Sequence, residues 1–165
     1  VHPVTVDRAR LRQLAATMLA IALLLASAWL AWDGTARRGA EQAGNEAIQA
    51  ARESIVAILS YRPDTAEKDL DTAARERLTG PFLDDYTQLI RTVVIPDAKQ
   101  RGISAAAQVP AAAVVSAEAD RAVLLVYVDQ AMAAGNAKPT QTNSSVRVTM
   151  EKIDGRWLIA GFDPI

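Results

Sequence analysis

Cysteine is absent from the 165 residues. No disulfide can staple this fold, no thiolate can hold a metal or attack a substrate, and no lipid can be attached through sulfur. Histidine is almost as scarce: His2 is the single one, which leaves no imidazole for acid/base work or metal ligation in the body of the chain. Charge of one sign is lacking as well. Lys and Arg total 18 against 19 Asp and Glu, a net charge of −1, and nucleic-acid-binding domains are basic with clustered Lys and Arg. These absences argue against a nucleic-acid partner and against most enzymes. No catalytic, cofactor-binding or metal-binding residue is assigned, and no cofactor is expected.

What is present is one long apolar run. Gln13 to Trp32 contains no charge, and about 20 such residues cross roughly 30 Å of hydrocarbon as a helix. Leu14, Met18, Leu19, Ile21, Leu23, Leu24, Leu25 and Leu30 supply bulk, and Trp29 and Trp32 stand where amphipathic rings favour headgroups. Asp7, Arg8, Arg10 and Arg12 precede the run with excess positive charge, which keeps that side cytoplasmic. The expectation is a single-pass inner (plasma) membrane protein: cytoplasmic stub 1–12, transmembrane helix 13–32, stalk 33–47 and extracytoplasmic α+β domain 48–165. His2 then lies across the membrane from the domain. A cleaved signal peptide is the rival, since Leu14 to Leu25 suits its core and Ala26-Ser27-Ala28 its cleavage site. The run continuing through Trp29 to Trp32 favours the retained anchor.

Residues 34–61 read as one helix leaving the bilayer, with Gly44, Ile48, Ala51, Ile55 and Ile58 as an apolar seam. Thr35 to Ala47 has little bulk, and Gly39 and Gly44 each weaken a helix by about 1 kcal/mol relative to Ala. Arg62-Pro63-Asp64 ends that helix. Asp64 is expected to cap the next, with Glu67 completing a capping box. Its apolar face is Ala66, Leu70, Ala73, Ala74 and Leu78. Gly80-Pro81 opens a third helix, with Phe82, Tyr86, Leu89, Ile90 and Val93 on one face and a stop near Pro96. After Gly102 the period becomes two. Strands are expected over 103–118, 121–134, 143–153 and 156–163, as an antiparallel meander. Val146, Val148 and Met150 alternate with Arg147, Thr149 and Glu151, and Asp154-Gly155 is a strong hairpin signal. Pro110 belongs at an edge or a bulge. Helices followed by strands predict an α+β fold, three helices packed on a curved antiparallel sheet in a nuclear-transport-factor-2-like cone.

The runs Ile58-Leu59-Ser60-Tyr61-Arg62-Pro63-Asp64-Thr65, Leu78-Thr79-Gly80-Pro81-Phe82 with Tyr86, and Asp154-Gly155-Arg156-Trp157-Leu158-Ile159 resemble Mce-associated membrane proteins of actinobacteria. The resemblance covers the whole layout, from stub and span to the close at Phe162-Asp163-Pro164. It implies a non-catalytic accessory subunit that stabilises or assembles an Mce-type lipid importer, with transporter subunits and the membrane as partners. Single-span assembly factors of type IV secretion share the topology and a similar cone, so a scaffold of that kind is an alternative. A lipid-binding module, with lipid held against the sheet's concave face, is another.

Few side chains invite chemistry. Asp129 lies on an otherwise apolar strand, where a carboxylate is either a general base of raised pKa or, as favoured here, the point at which the strand reaches solvent. Tyr61, Tyr86 and Tyr127 suit a ligand or, more commonly, cap a core with one wet tip. Asp84-Asp85 reads as a helix-surface pair rather than a metal site. Arg37-Arg38 suits headgroups, and Ala16-Ala20 with Ala22-Ala26 offer small-xxx-small faces.

Overall fold

Residues 38–59 form the first described helix, α1, of a computed structural model that describes residues 38–165. The expected stub 1–12, the span 13–32, Arg37 and the start of the stalk lie outside the described residues. The compact unit runs from Ala40 to Ile165, so residues 40–47, expected as stalk, belong to the domain. The reason is the identity of the seam. Ala43, Ala47, Ala51, Ile55 and Ile58 are buried, and Ile48 is only half-buried at its flank. Small residues let the helix backbone approach the sheet, so the close packing follows the alanines rather than the bulk. Gly44 serves the same approach: a Cβ built there would lie 3.0 Å from a methyl of Val114.

Helix α2 spans Ala66–Arg77 and buries the expected Ala66, Leu70, Ala73 and Ala74, with Leu78 just beyond. Its N-cap is Thr65, without a side-chain cap bond, and not Asp64. A turn closed by Thr65 N–H donating to the Arg62 carbonyl at 3.2 Å delays the helix start by one residue, and Asp64 instead faces Arg62 at 3.8 Å in solvent. Glu67 and Asp69 in the first turn and Arg75 and Arg77 in the last suit the helix dipole.

Helix α3, Gly80–Leu89, carries Pro81 in its first turn. It does not stop near Pro96. A π-helical turn, Ile90–Val94, follows, and α4, Ile95–Arg101, takes Pro96 into its own first turn. Proline lacks an N–H and its ring collides with the carbonyl four residues back in a continuing α-helix. The wider turn, in which Ile95 N–H reaches the Ile90 carbonyl, relieves that conflict. The extra residue also rotates the apolar stripe. Ile90, Ile95 and Ala98 are buried, whereas Leu89 and Val93, expected inside, are 51% and 49% exposed. Gly102, at φ 63°, closes α4 in the left-handed region that glycine enters without penalty.

The sheet comprises β1 (Ile103–Ala117), β2 (Arg121–Ala134), β3 (Thr140–Ile153) and β4 (Arg156–Pro164), in the order β1-β2-β3-β4 with every pair antiparallel. The α+β expectation, a helical half followed by an antiparallel meander, holds over these residues. Pro110 falls at a register shift between Gln108 and Ala111 on the edge strand. Asp154 and Gly155 have φ of 51° and 78°, the paired left-handed conformation of a tight hairpin turn. Strand β3 begins three residues early because Thr140, Gln141 and Thr142, which pair with β2, are exposed and carry no apolar alternation to detect. The face of the sheet that meets the helices is filled: Leu124, Val126, Val146, Val148, Met150 and Ile159 are all at most 1% exposed.

Candidate interaction surface

That filled face decides what the domain can offer. A lipid held between helices and sheet would need the volume taken by Leu124, Val148, Met150 and their neighbours on α1, Ala51 and Ile55. Chemistry must therefore be sought on the outside, where α1 is joined to the sheet by polar contacts at two places. At its N-terminal half, Lys152 Nζ donates to Glu46 Oε2 at 2.7 Å and Trp157 Nε1 to the same oxygen at 3.3 Å, while Gln42 donates to Oε1 at 3.1 Å. Lys152 also lies 5.5 Å from the Trp157 ring centre, within cation–π range. At its C-terminal half, Arg52 donates to the Val109 carbonyl, beside the bulge at Pro110.

Glu46 is held below its ordinary 4.5, first by the Lys152 hydrogen bond, then by those from Gln42 and Trp157. A folded value below the unfolded one means stabilisation that is complete above the unfolded value and is lost as pH falls through the folded one. The melting temperature should therefore fall between about pH 5 and pH 3 more steeply in the native chain than in Glu46→Gln. Equal slopes in the two thermal scans would remove the joint from the account.

Asp129 sits inside β2 and not at a strand end. It is half-buried on the face away from the helices, opposite Asn143, whose side-chain amide donates to it. Of the tyrosines, Tyr86 caps the core, its hydroxyl donating to the Ile58 carbonyl at 2.7 Å. Burial pushes its pKa up. Tyr61 pairs by its backbone with Ala105, and burial followed by the charge of Asp97 raises its pKa. Tyr127 is 50% exposed on the outer sheet face. Tyr61 and Tyr86 are near enough for Tyr61 to add to the rise of the Tyr86 pKa, while Asp129 and Tyr127 lie on the outer sheet face. Asp84 and Asp85 are exposed on α3, and among the described residues no group of acidic or histidine side chains is placed to hold a metal. Arg38 is exposed at the start of α1.

Of the grooves on the described surface, two bear on docking. One, of about 600 Å3, runs between α2 and α4 and is walled by Glu67, Asp71, Arg75, Arg91 and Lys99. Five of its charges pair with one another: Arg75 and Arg91 both meet Asp71, at 2.6 and 3.2 Å, and Lys99 meets Glu67 at 2.5 Å; Asp64 and Lys68 also line it. The other, of about 450 Å3, lies where Ala40, Gly44 and Asn45 pass over Val114 and Val115 of β1. It is the apolar one, and periodicity did not announce it. The signal available in the sequence was the absence of charge from Ile103 to Ala117.

A family model described as uncharacterized protein Rv1363c/MT1408-like matches residues 9–162. The chain belongs to this family. One relative, "Outer membrane protein Rv1973" of Mycobacterium tuberculosis, is 53% identical over 147 residues, covering 89% of this chain and 91% of its own. A second from the same organism, "Uncharacterized protein Rv1362c", is 43% identical over 124 residues, 74% of this chain and 56% of its own. Among solved structures, a periplasmic fragment of TraM has a TM-score of 0.60 at 10% identity, covering 73% of this chain and 95% of that one. Agrobacterium tumefaciens VirB8 has a TM-score of 0.54 at 14% identity, covering 71% and 88%. At those identities the likeness is one of fold. This chain thus shares a helix-on-sheet fold with the TraM fragment and VirB8. Among the described residues no helix is long and apolar enough to cross a membrane.

Proposed function

We propose that this member of the Rv1363c/MT1408-like family is a non-catalytic accessory subunit of the cell envelope that stabilises or assembles an Mce-type lipid import complex. The observation that carries the reading is the packed interior. With the helix-facing side of the sheet filled, the domain has surfaces to offer rather than a reaction chamber. The name of the relative Rv1973 supports an envelope location. The apolar run 13–32 and its arginine flank support a single-pass anchor in the inner membrane, N-terminus cytoplasmic and domain extracytoplasmic. Tethering suits a weak contact, because a short flexible link raises the effective concentration to about the millimolar range.

The test is purification of the full chain in mild detergent followed by mass spectrometry, alongside complementation of a deletion strain. Transporter subunits should co-purify, and their levels should recover with the intact chain but not with an exported version starting at Ala40. Full recovery with the untethered domain would end the tethering mechanism. The shared fold with TraM and VirB8 favours one second reading, a scaffold for a secretion-type assembly. It would be recognised by co-purification of secretion components in place of lipid-import subunits.

A further inference from the structure

The sheet has two edges, and the rest of the fold covers each of them over part of its length. Along β4, Thr79 N–H donates to the Ile159 carbonyl at 3.0 Å, and Leu78 bridges to Ile159. Arg156, Asp163 and Pro164 guard its ends. Along β1 the covering stops half-way. Tyr61 and Ala105 exchange backbone hydrogen bonds of 2.9 and 3.0 Å, Ala107 N–H donates to Ser60 Oγ at 2.9 Å, and Arg52 takes the Val109 carbonyl. Pro110 and its bulge end that covered half. Beyond it, among the described residues, the outer edge of 111–117 has no hydrogen-bond partner. Val114 and Val115 there are 41% and 65% exposed. Ile103 to Ala117 holds no charged residue; of the devices that ordinarily blunt an exposed edge, residues 111–117 keep only the register shift between Val114 and Ser116.

We infer that residues 111–117 of β1 receive a second copy of this chain, which adds its own β1 antiparallel across a two-fold axis and joins two four-stranded sheets. The bridge at the middle of β4, with Arg156 and Asp163 towards its ends, favours this arrangement. Head-to-tail growth would need β1 to meet β4, and β4 is covered at Ile159; an isologous contact uses β1 twice and closes. Charge selects it too. Antiparallel self-pairing sets the central residue opposite its own mate and its neighbours opposite one another, so like charges near the centre would repel, and this edge carries nothing to repel. Main-chain N–H and C=O groups provide the affinity. The valines provide cross-strand contacts, and the groove beneath α1 at Gly44 accommodates side chains of the incoming strand.

The native absence of cysteine makes the test clean. Single cysteines are placed at each of residues 111–117 in the full chain, held in its own membranes and oxidised. A disulfide-linked dimer should form, strongest near the middle of the segment and weaker to either side. A cysteine at Ile153, exposed beside the β3–β4 turn, should give none. Adding Val115→Lys, at a site exposed enough to leave the fold intact, should cut the strongest cross-link by about fivefold or more through like-charge opposition. Its melting curve should be unchanged, and co-expression with a Val115→Glu copy should restore the cross-link. The proposal is overturned if no position cross-links, if Val115→Lys leaves the yield unchanged, or if the thiols couple to a different polypeptide.

Discussion

Replacing Leu124 by alanine should lower the unfolding free energy by about 2–5 kcal/mol. Leu124 is fully buried in β2, an interior strand of the sheet, with Val114 and Val148 as its register partners on either side. Two flanking strands prevent the backbone from collapsing into the space left behind, so both the lost burial and the cavity contribute. The neighbouring Leu125→Ala is the control. Its side chain is on the opposite face and only half-buried, and the loss there should be a fraction of the first. Urea denaturation of both variants measures the contrast, as a shift in midpoint at unchanged slope. A loss below about 1 kcal/mol for Leu124→Ala would mean that the core relaxes, and that the filled helix-facing side is softer than its burial indicates.

The second large effect is at Gly44. A valine there should cost about 1–3 kcal/mol by overpacking, because its γ-carbons extend past a Cβ position already 3.0 Å from Val114 and 3.4 Å from Ala117. Gly44→Ala should be nearly silent. The gain of about 1 kcal/mol in helix propensity offsets a contact that a shift of a few tenths of an ångström relieves. Comparing the two by the same denaturation separates the close approach of α1 to β1 from general helix effects. If Gly44→Val is as stable as Gly44→Ala, α1 is free to ride away from the strand and the groove beneath it is not a fixed feature.

The strands were legible because burial on one face leaves a period of two: Val146, Val148 and Met150 give β3 away, and Asp154-Gly155 places the last hairpin. Helix α2 was legible for the corresponding reason. What sequence reading missed has three physical causes. Alanine spacing, and not bulk, marks where α1 meets the sheet, so Ile48 misled and residues 40–47 looked like a stalk. The π turn at Ile90–Val94 keeps a helical run going past Pro96 and turns Leu89 and Val93 outward, a geometry no fixed period of 3.6 encodes. Strand order is the third. Periodicity says which residues face the core but not which strand lies at the edge, so the charge-free run of β1 reads as ordinary core until its place in the sheet is known. Asp129 looked like a strand end for the same reason, since the outward face of an interior strand and a strand terminus both admit a carboxylate.

The Glu46–Lys152–Trp157 joint has a consequence in time. The chain is synthesised from its N-terminus, and the partners of α1 on the sheet come late: Lys152 and Trp157 follow Glu46 by more than a hundred residues. Each hairpin of the meander can form from neighbouring segments, but the alanine face of α1 has no finished sheet to cover it until β4 has been made. Contacts so distant along the chain are slow to close, and apolar surface left bare meanwhile invites association. The first described helix is therefore among the last to be housed, and its apolar face stays bare until the end of the sheet is in place.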